Sequence, residues 1–178
     1  MSGDGPGDGQ VGVRVELAAA GSAAVDTGLS VFDYLVGELA RTARVQLTLE
    51  VAPGTTDDGV AAAGRGLGEA FAPLVRGSGA LGRGSAWLPA DEALAGAVIE
   101  VSERPLFASN VDFSRQRVGG LESDVVARFF RELADGAGLN VHIRVLEGKD
   151  PQHVLHAIFK ALGAALGMAC RAPTGGDA

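Results

Sequence analysis

The stretch Glu122–Arg171, ESDVVARFFRELADGAGLNVHIRVLEGKDPQHVLHAIFKALGAALGMACR, decides the fold. Val125, Val126, Phe129, Phe130 and Leu133 recur at helical spacing, so Glu122–Ala137 reads as an amphipathic helix. From Leu139 to Leu146 the period changes to two. Val141, Ile143 and Val145 share one face, and Asn140, His142 and Arg144 share the other, which is a half-buried strand. Pro151 then opens an apolar helix running to Arg171, at a position where a missing N–H costs nothing. The unit is helix, strand, helix.

The same order occurs earlier in the chain. Leu29–Ala43 carries Phe32, Leu35, Val36 and Leu39 on one stripe, Val45–Val51 alternates, and Val60–Val75 is a small-residue helix weakened by its glycines. Glu38-Leu39-Ala40 returns 94 residues later as Glu132-Leu133-Ala134, and Leu67-Gly68 returns 95 residues later as Leu162-Gly163. One inserted loop residue reconciles the two offsets. A repeat of this length is too long for a solenoid. It predicts an α+β fold of two internally duplicated half-domains, each a small mixed sheet backed by two helices. Val11–Leu17 supplies a strand to the first half, and Val98–Val101 and Phe107–Phe113 supply strands to the second. The expected half-domains are 11–87 and 88–171. The Gly-, Asp- and Pro-rich ends, 1–10 and 172–178, are expected to be mobile tails.

Composition narrows the class. The 178 residues suit one domain, and 47% hydrophobic with 21% charged residues excludes a wholly disordered chain. Aromatics are 5%, so the core is built from Ala, Val and Leu. A net charge of −7 with no basic run argues against nucleic-acid partners. Cys170 stands alone and forms no internal disulfide, which suits a reducing compartment. Met1–Gln10 has Asp4, Asp8 and no Lys or Arg, unlike a secretory signal. No apolar run reaches membrane-spanning length. The expected location is cytoplasmic, with no membrane partner.

The three histidines, His142, His153 and His156, lie close together in sequence. His142 belongs to a strand, while His153 and His156 share a helix face. Neutral imidazoles so placed suit a divalent metal; they equally suit ordinary exposed or hydrogen-bonded histidines. The matching place in the first half is Asp57, Asp58 and Ala61. Its carboxylates read either as oxygen ligands or as a helix N-cap.

Seven strings occur in a telling order: Thr27-Gly28-Leu29-Ser30-Val31-Phe32-Asp33, Leu88-Pro89-Ala90-Asp91-Glu92-Ala93-Leu94, Ser102-Glu103-Arg104-Pro105, Gln116-Arg117-Val118-Gly119, Phe129-Phe130, Leu139-Asn140-Val141-His142-Ile143 and Ala157-Ile158-Phe159-Lys160-Ala161. Together they resemble imidazoleglycerol-phosphate dehydratase, the lyase of histidine biosynthesis, from about Val11 to Arg171. The resemblance implies paired half-domains and a homo-oligomer, either a trimer or a 24-subunit assembly of trimers. It also implies manganese at subunit contacts and a small phosphorylated imidazole ligand.

The departures are as informative as the matches. The family carries His-His-x-x-Glu in each half. Those slots read Asp57, Asp58 and Ala61 in one half and Gln152, His153 and His156 in the other. The family histidine following Phe-Leu-Asp is Tyr34, while the strand histidine survives as His142. The family's N-terminal Arg-x-Thr-x-Glu-Thr strand pattern has no recognisable counterpart. Arg104 and Lys160 occupy the slots of phosphate-holding cations, and Arg83 stands beside Gly82, the slot of a third. Such cations bind a dianion through charge-assisted hydrogen bonds; Arg104 and Lys160 equally read as surface charges paired with Glu103 and Asp91. The resulting expectation is a catalytically degenerate relative that keeps the fold, the assembly and a phosphate pocket from Arg83, Arg104 and Lys160. It would hold no pair of manganese ions and at most one remnant divalent ion, on His142, His153 and His156 with Asp57 or Asp58. The alternative is an active dehydratase with a reduced metal site, converting imidazole glycerol phosphate to imidazole acetol phosphate.

Overall fold

The computed structural model describes residues 11–52, 56–113 and 118–174. The first half runs β1 (Val11–Leu17), β2 (Ser22–Asp26), α1 (Ser30–Ala43), β3 (Val45–Val51) and α2 (Thr56–Val75). After β4 (Arg83–Ala90) the order repeats as β5 (Ala93–Val101), β6 (Leu106–Ser109), α3 (Ser123–Ala137), β7 (Leu139–Glu147) and α4 (Pro151–Ala169). The first sheet has order β1-β3-β2 and the second β4-β5-β7-β6. β1 is antiparallel and β2 parallel to β3. β5 and β6 bear the same relations to β7. The duplication expected from the repeated strings is therefore present in β1, β2 and β3 and their counterparts β5, β6 and β7.

Register shows where the copies differ in length. Leu17 pairs with Val45 and Val101 with Leu139; Ser22 pairs with Gln46 and Leu106 with Asn140. Equivalent residues are thus 84 apart before the first helix of each half (Leu17 to Val101) and 94 apart after it (Val45 to Leu139). The ten additional residues lie between β6 and α3. β4 is also additional, and it spans the expected division between Trp87 and Leu88. The expected strand at Val98–Val101 begins earlier, at Ala93, and the one at Phe107–Phe113 ends at Ser109. α2 begins at Thr56 rather than Val60. β2 (SAAVD) and β4 (RGSAWLPA) lack the β-branched runs that announce a strand. The strings containing Gln116 and Arg117, and the ends 1–10 and 175–178, lie outside the described residues.

Each sheet is covered on one face by the helices of its own half, and the helices then pack on those of the other half, α2 on α3 and α1 on α4. The layers are sheet, helices, helices, sheet. The closest crossings use the repeated Leu-Gly strings. A Cβ on Gly68 would lie 2.3 Å from the Leu133 carbonyl oxygen, and one on Gly163 would lie 2.3 Å from that of Leu39. Only glycine admits this approach. Phe32, Phe129, Phe130 and Phe159 meet at the centre with ring centroids 5.1 to 6.4 Å apart. No polar side chain is fully buried among the described residues. None of the described helices is long and apolar enough to cross a membrane.

Two arginines join the halves at the C-terminal ends of α1 and α3. α1 ends at Arg44 and α3 at Gly138, both left-handed, so their last carbonyls need outside donors. Arg171 donates to the carbonyls of Ala43 (2.9 Å) and Arg44 (2.6 Å), and Arg76 to those of Ala137 (2.6 Å) and Gly138 (2.9 Å). The two arginines are 95 residues apart, so each helix C-terminus is closed by the opposite half.

Candidate functional site

The Asp150 carboxylate caps α4 by accepting the Gln152 N–H at 2.8 Å, with Pro151 in the first turn. This start aims His153 at the β4–β5 turn and His156 at α1. In that turn Asp91 takes φ of 49° and Glu92 follows it. Glu92 Oε1 accepts the backbone N–H groups of Lys149 (3.1 Å) and Asp150 (2.8 Å), while Oε2 lies 2.5 Å from His153 Nδ1. These bonds, the Asp150 N–H foremost and His153 next, hold the Glu92 carboxyl down at about 2. The hydrogen bond from Glu92 raises the His153 pKa in turn. His153 Nε2 lies 3.4 Å from Asp91 Oδ2 and 4.0 Å from Asp150 Oδ2.

His156 sits one turn further along. Its Nε2 is 2.6 Å from Glu38 Oε2 and 3.3 Å from the Tyr34 hydroxyl oxygen, and the Tyr34 and His156 rings meet edge to face. Glu38 also bonds the Arg41 guanidinium. Partial burial works against its charge, but the bonds from Arg41 and His156 outweigh it and lower its pKa. Desolvation, then the nearby Glu38 charge, raises the Tyr34 pKa. Tyr34 is thus a still poorer anionic ligand than free tyrosine.

The first-half slots are engaged differently. Asp57 is exposed, and Ala61 is buried without a donor. Asp58 Oδ1 lies 3.3 Å from Arg128 Nη2, and Arg65 Nε donates to Glu132 Oε2 at 2.7 Å. These side chains line a shallow pocket between α2 and α3.

The remaining expected site residues are dispersed in a single subunit. His142 pairs with Val98 and Ala108 across β7, on the face of the second sheet turned away from α4. The three histidines therefore do not converge, because the strand's inward positions belong to Val141 and Ile143. Lys160 Nζ donates to the Pro89 carbonyl at 2.7 Å. Arg83 opens β4 at its other end, six residues before Pro89, which is about 20 Å of strand. Arg104 lies just past β5, with its N–H bonded to Ser102 Oγ. Arg83 and Arg104 thus share one end of the sheet and Lys160 the other.

Sequence reasoning did not find Glu38, Glu92, Arg65, Arg128 or Glu132 as partners. The signal for two of them was available, since Glu38 and Glu132 open the repeated Glu-Leu-Ala string. Among the described residues, no three His, Cys, Asp or Glu side chains are arranged to hold a metal ion. The donor chemistry agrees. His153 bonds a carboxylate through Nδ1 and His156 through Nε2, Asp58 faces a guanidinium, Ala61 offers nothing, and the Gln152 and Tyr34 slots hold neutral oxygens. The residues present do not fit a pair of divalent ions.

Comparison with known proteins places this arrangement. A model of the imidazoleglycerol-phosphate dehydratase family matches residues 27–166. The chain is 36% identical over 169 residues to the imidazoleglycerol-phosphate dehydratase of Desulfitobacterium hafniense, covering 91% of this chain and 85% of that one. It is 33% identical over 164 residues to the enzyme of the same name from Clostridium botulinum, covering 90% and 84%. The crystal structure of imidazoleglycerol-phosphate dehydratase from Staphylococcus aureus superposes with a TM-score of 0.83 at 27% identity, covering 92% of this chain and 95% of that one. Duplicated topology, matched strings and relatives along nearly the whole chain agree: this protein belongs to the imidazoleglycerol-phosphate dehydratase family.

Proposed function

We propose that this chain is a catalytically degenerate member of the family, a histidine-biosynthesis fold that works as a cytoplasmic assembly subunit. The observation that carries the reading is the state of the motif side chains. His153 and His156 each bond a carboxylate at 2.5 and 2.6 Å, and the matching first-half slots hold Asp58 beside Arg128 and the donorless Ala61. Removing a proton from a barely acidic carbon of imidazole glycerol phosphate calls for a strong Lewis acid on the imidazole ring. With Ala61, Gln152 and Tyr34 at three of the motif slots and Asp58 beside Arg128, the donor set that remains supports none.

Assembly is part of the proposal. The outer face of the second sheet carries Trp87, Val98, Leu106 and Leu146, all at least half exposed or close to it. The outer face of the first sheet carries Arg14, Glu16, Gln46, Thr48 and Glu50. The apolar face supports a homo-oligomer, a trimer or a multiple of it, joined through the second sheet. An anion site from Arg83, Arg104 and Lys160 would then need cations from neighbouring subunits, since one subunit holds them at opposite ends of a sheet.

The test is turnover of imidazole glycerol phosphate with added manganese, run beside the Staphylococcus aureus dehydratase. The expected outcome is no product above background. Manganese-dependent turnover that disappears in His153→Ala overturns the reading.

A further inference from the structure

The side chains at the motif slots bond in a pattern that the duplication repeats. Glu38 on α1 and Glu132 on α3 are equivalent, 94 residues apart. Each meets a base on the opposing helix of the other half, Glu38 with His156 of α4 at 2.6 Å and Glu132 with Arg65 of α2 at 2.7 Å. One turn before each glutamate stands a second equivalent pair, Tyr34 and Arg128. Each reaches a motif slot near the start of the opposing helix, Tyr34 to His156 at 3.3 Å and Arg128 to Asp58 at 3.3 Å. Two different residue sets thus perform one task at two equivalent helix crossings.

We propose that these two clusters are metal-free clasps that hold the half-domains together, and that a divalent ion does not displace them. A divalent ion at Glu38 would have to displace both the His156 imidazole at 2.6 Å and the Arg41 guanidinium from one carboxylate. Arg41, bonded to the same carboxylate, adds repulsion. In the first half the Arg128 guanidinium already occupies the cation's place beside Asp58. The Glu38–His156 clasp carries more of the load, since its side chains are 13% and 21% exposed while Glu132 and Arg65 are 36% and 47% exposed. The inference rests on the same replaced motif as the functional reading, but it concerns folding and not turnover.

The test is thermal denaturation of the full chain, as purified, with millimolar manganese, with millimolar zinc, and with EDTA. The clasps predict one melting temperature in all three. Glu38→Gln and Glu132→Gln are each expected to lower it by about 2–4 °C, the former more. Asp58→Arg and Arg128→Asp are each expected to lower it slightly, and the double variant to restore it. A melting temperature raised by manganese or lowered by EDTA overturns the proposal, as does Glu38→Gln melting like the parent. A double variant that melts no higher than either single overturns the first-half clasp. Turnover separates the two readings. An active protein that ignores metal in melting overturns the functional reading alone, and an inactive protein stabilised by manganese overturns the clasps alone.

Discussion

At the residue scale, His153 and Glu92 make a link that titrates at both ends. The folded state raises the His153 pKa and depresses that of Glu92 to about 2. A raised histidine contributes stability that is present below its unfolded value of about 6.5 and fades as pH rises through the folded value. A depressed carboxylate contributes stability that is present above its unfolded value of about 4.3 and is lost as pH falls toward the folded one. The link is therefore strongest in the mildly acidic window between them. NMR titration of the imidazoles is expected to show His153 titrating above about 6.5, and Glu92→Gln to bring it back down. An unshifted His153 in the parent chain contradicts the geometry described here. Cys170 behaves otherwise: burial raises its thiol to about 11, so it packs as a small apolar side chain and stays unreactive.

At the element scale, the helix C-termini depend on the opposite half. Arg171 donates to the carbonyls of Ala43, Gly167, Arg44 and Ala18, and so ties α1, α4 and the end of β1 together. Arg76 donates to those of Ala72, Ala137 and Gly138. Removing a charged donor strands several partly buried carbonyls, at about 1–3 kcal/mol. Arg171→Ala is expected to cost the upper part of that range in urea unfolding and Arg76→Ala the lower part, since Arg171 serves one carbonyl more. Lysine at either place is expected to recover less than half, because it lacks the forked donor geometry. Equal stability of parent and Arg171→Ala would mean that water replaces the clamp.

At the scale of the whole molecule, the two sheets have the same topology and opposite outer faces. The first presents charged and hydroxyl side chains, and the second presents Trp87, Val98, Leu106 and Leu146. Trp87 lies flat across Gly96, where a Cβ would come 2.5 Å from the indole ring, so the ring forms a smooth apolar surface. Light scattering at micromolar concentration is expected to give a multiple of 18.0 kDa for the parent chain. Trp87→Glu is expected to shift it toward 18.0 kDa without loss of helical circular dichroism, since a charge on that face opposes its burial. A parent chain that runs as a monomer contradicts the assigned face.

Periodicity and repeated strings by themselves determined the duplication, the amphipathic helices and the buried stripes, because each half-domain's core is written locally at spacings of two and of three to four residues. Glu38-Leu39-Ala40 and Leu67-Gly68 carried more than their strings suggested. Their copies became the clasps and the closest helix crossings, since equivalent residues of a duplicated fold meet equivalent surroundings. Which residues answer His153, His156, Asp58 and Arg171 was not legible, because those partners lie on elements 61 to 153 residues away. Only the packing of α2 on α3, of α1 on α4, and of α4 on β4 and β5 brings them within bonding distance. The placement of His142 was half legible. Alternation put it opposite Val141 and Ile143, but only the sheet's burial by α4 showed that this face points away from the other two histidines. β2 and β4 were settled by tertiary structure alone. Their Ser, Ala and Gly residues have little strand preference of their own, and hydrogen bonding to β3 and β5 makes them strands.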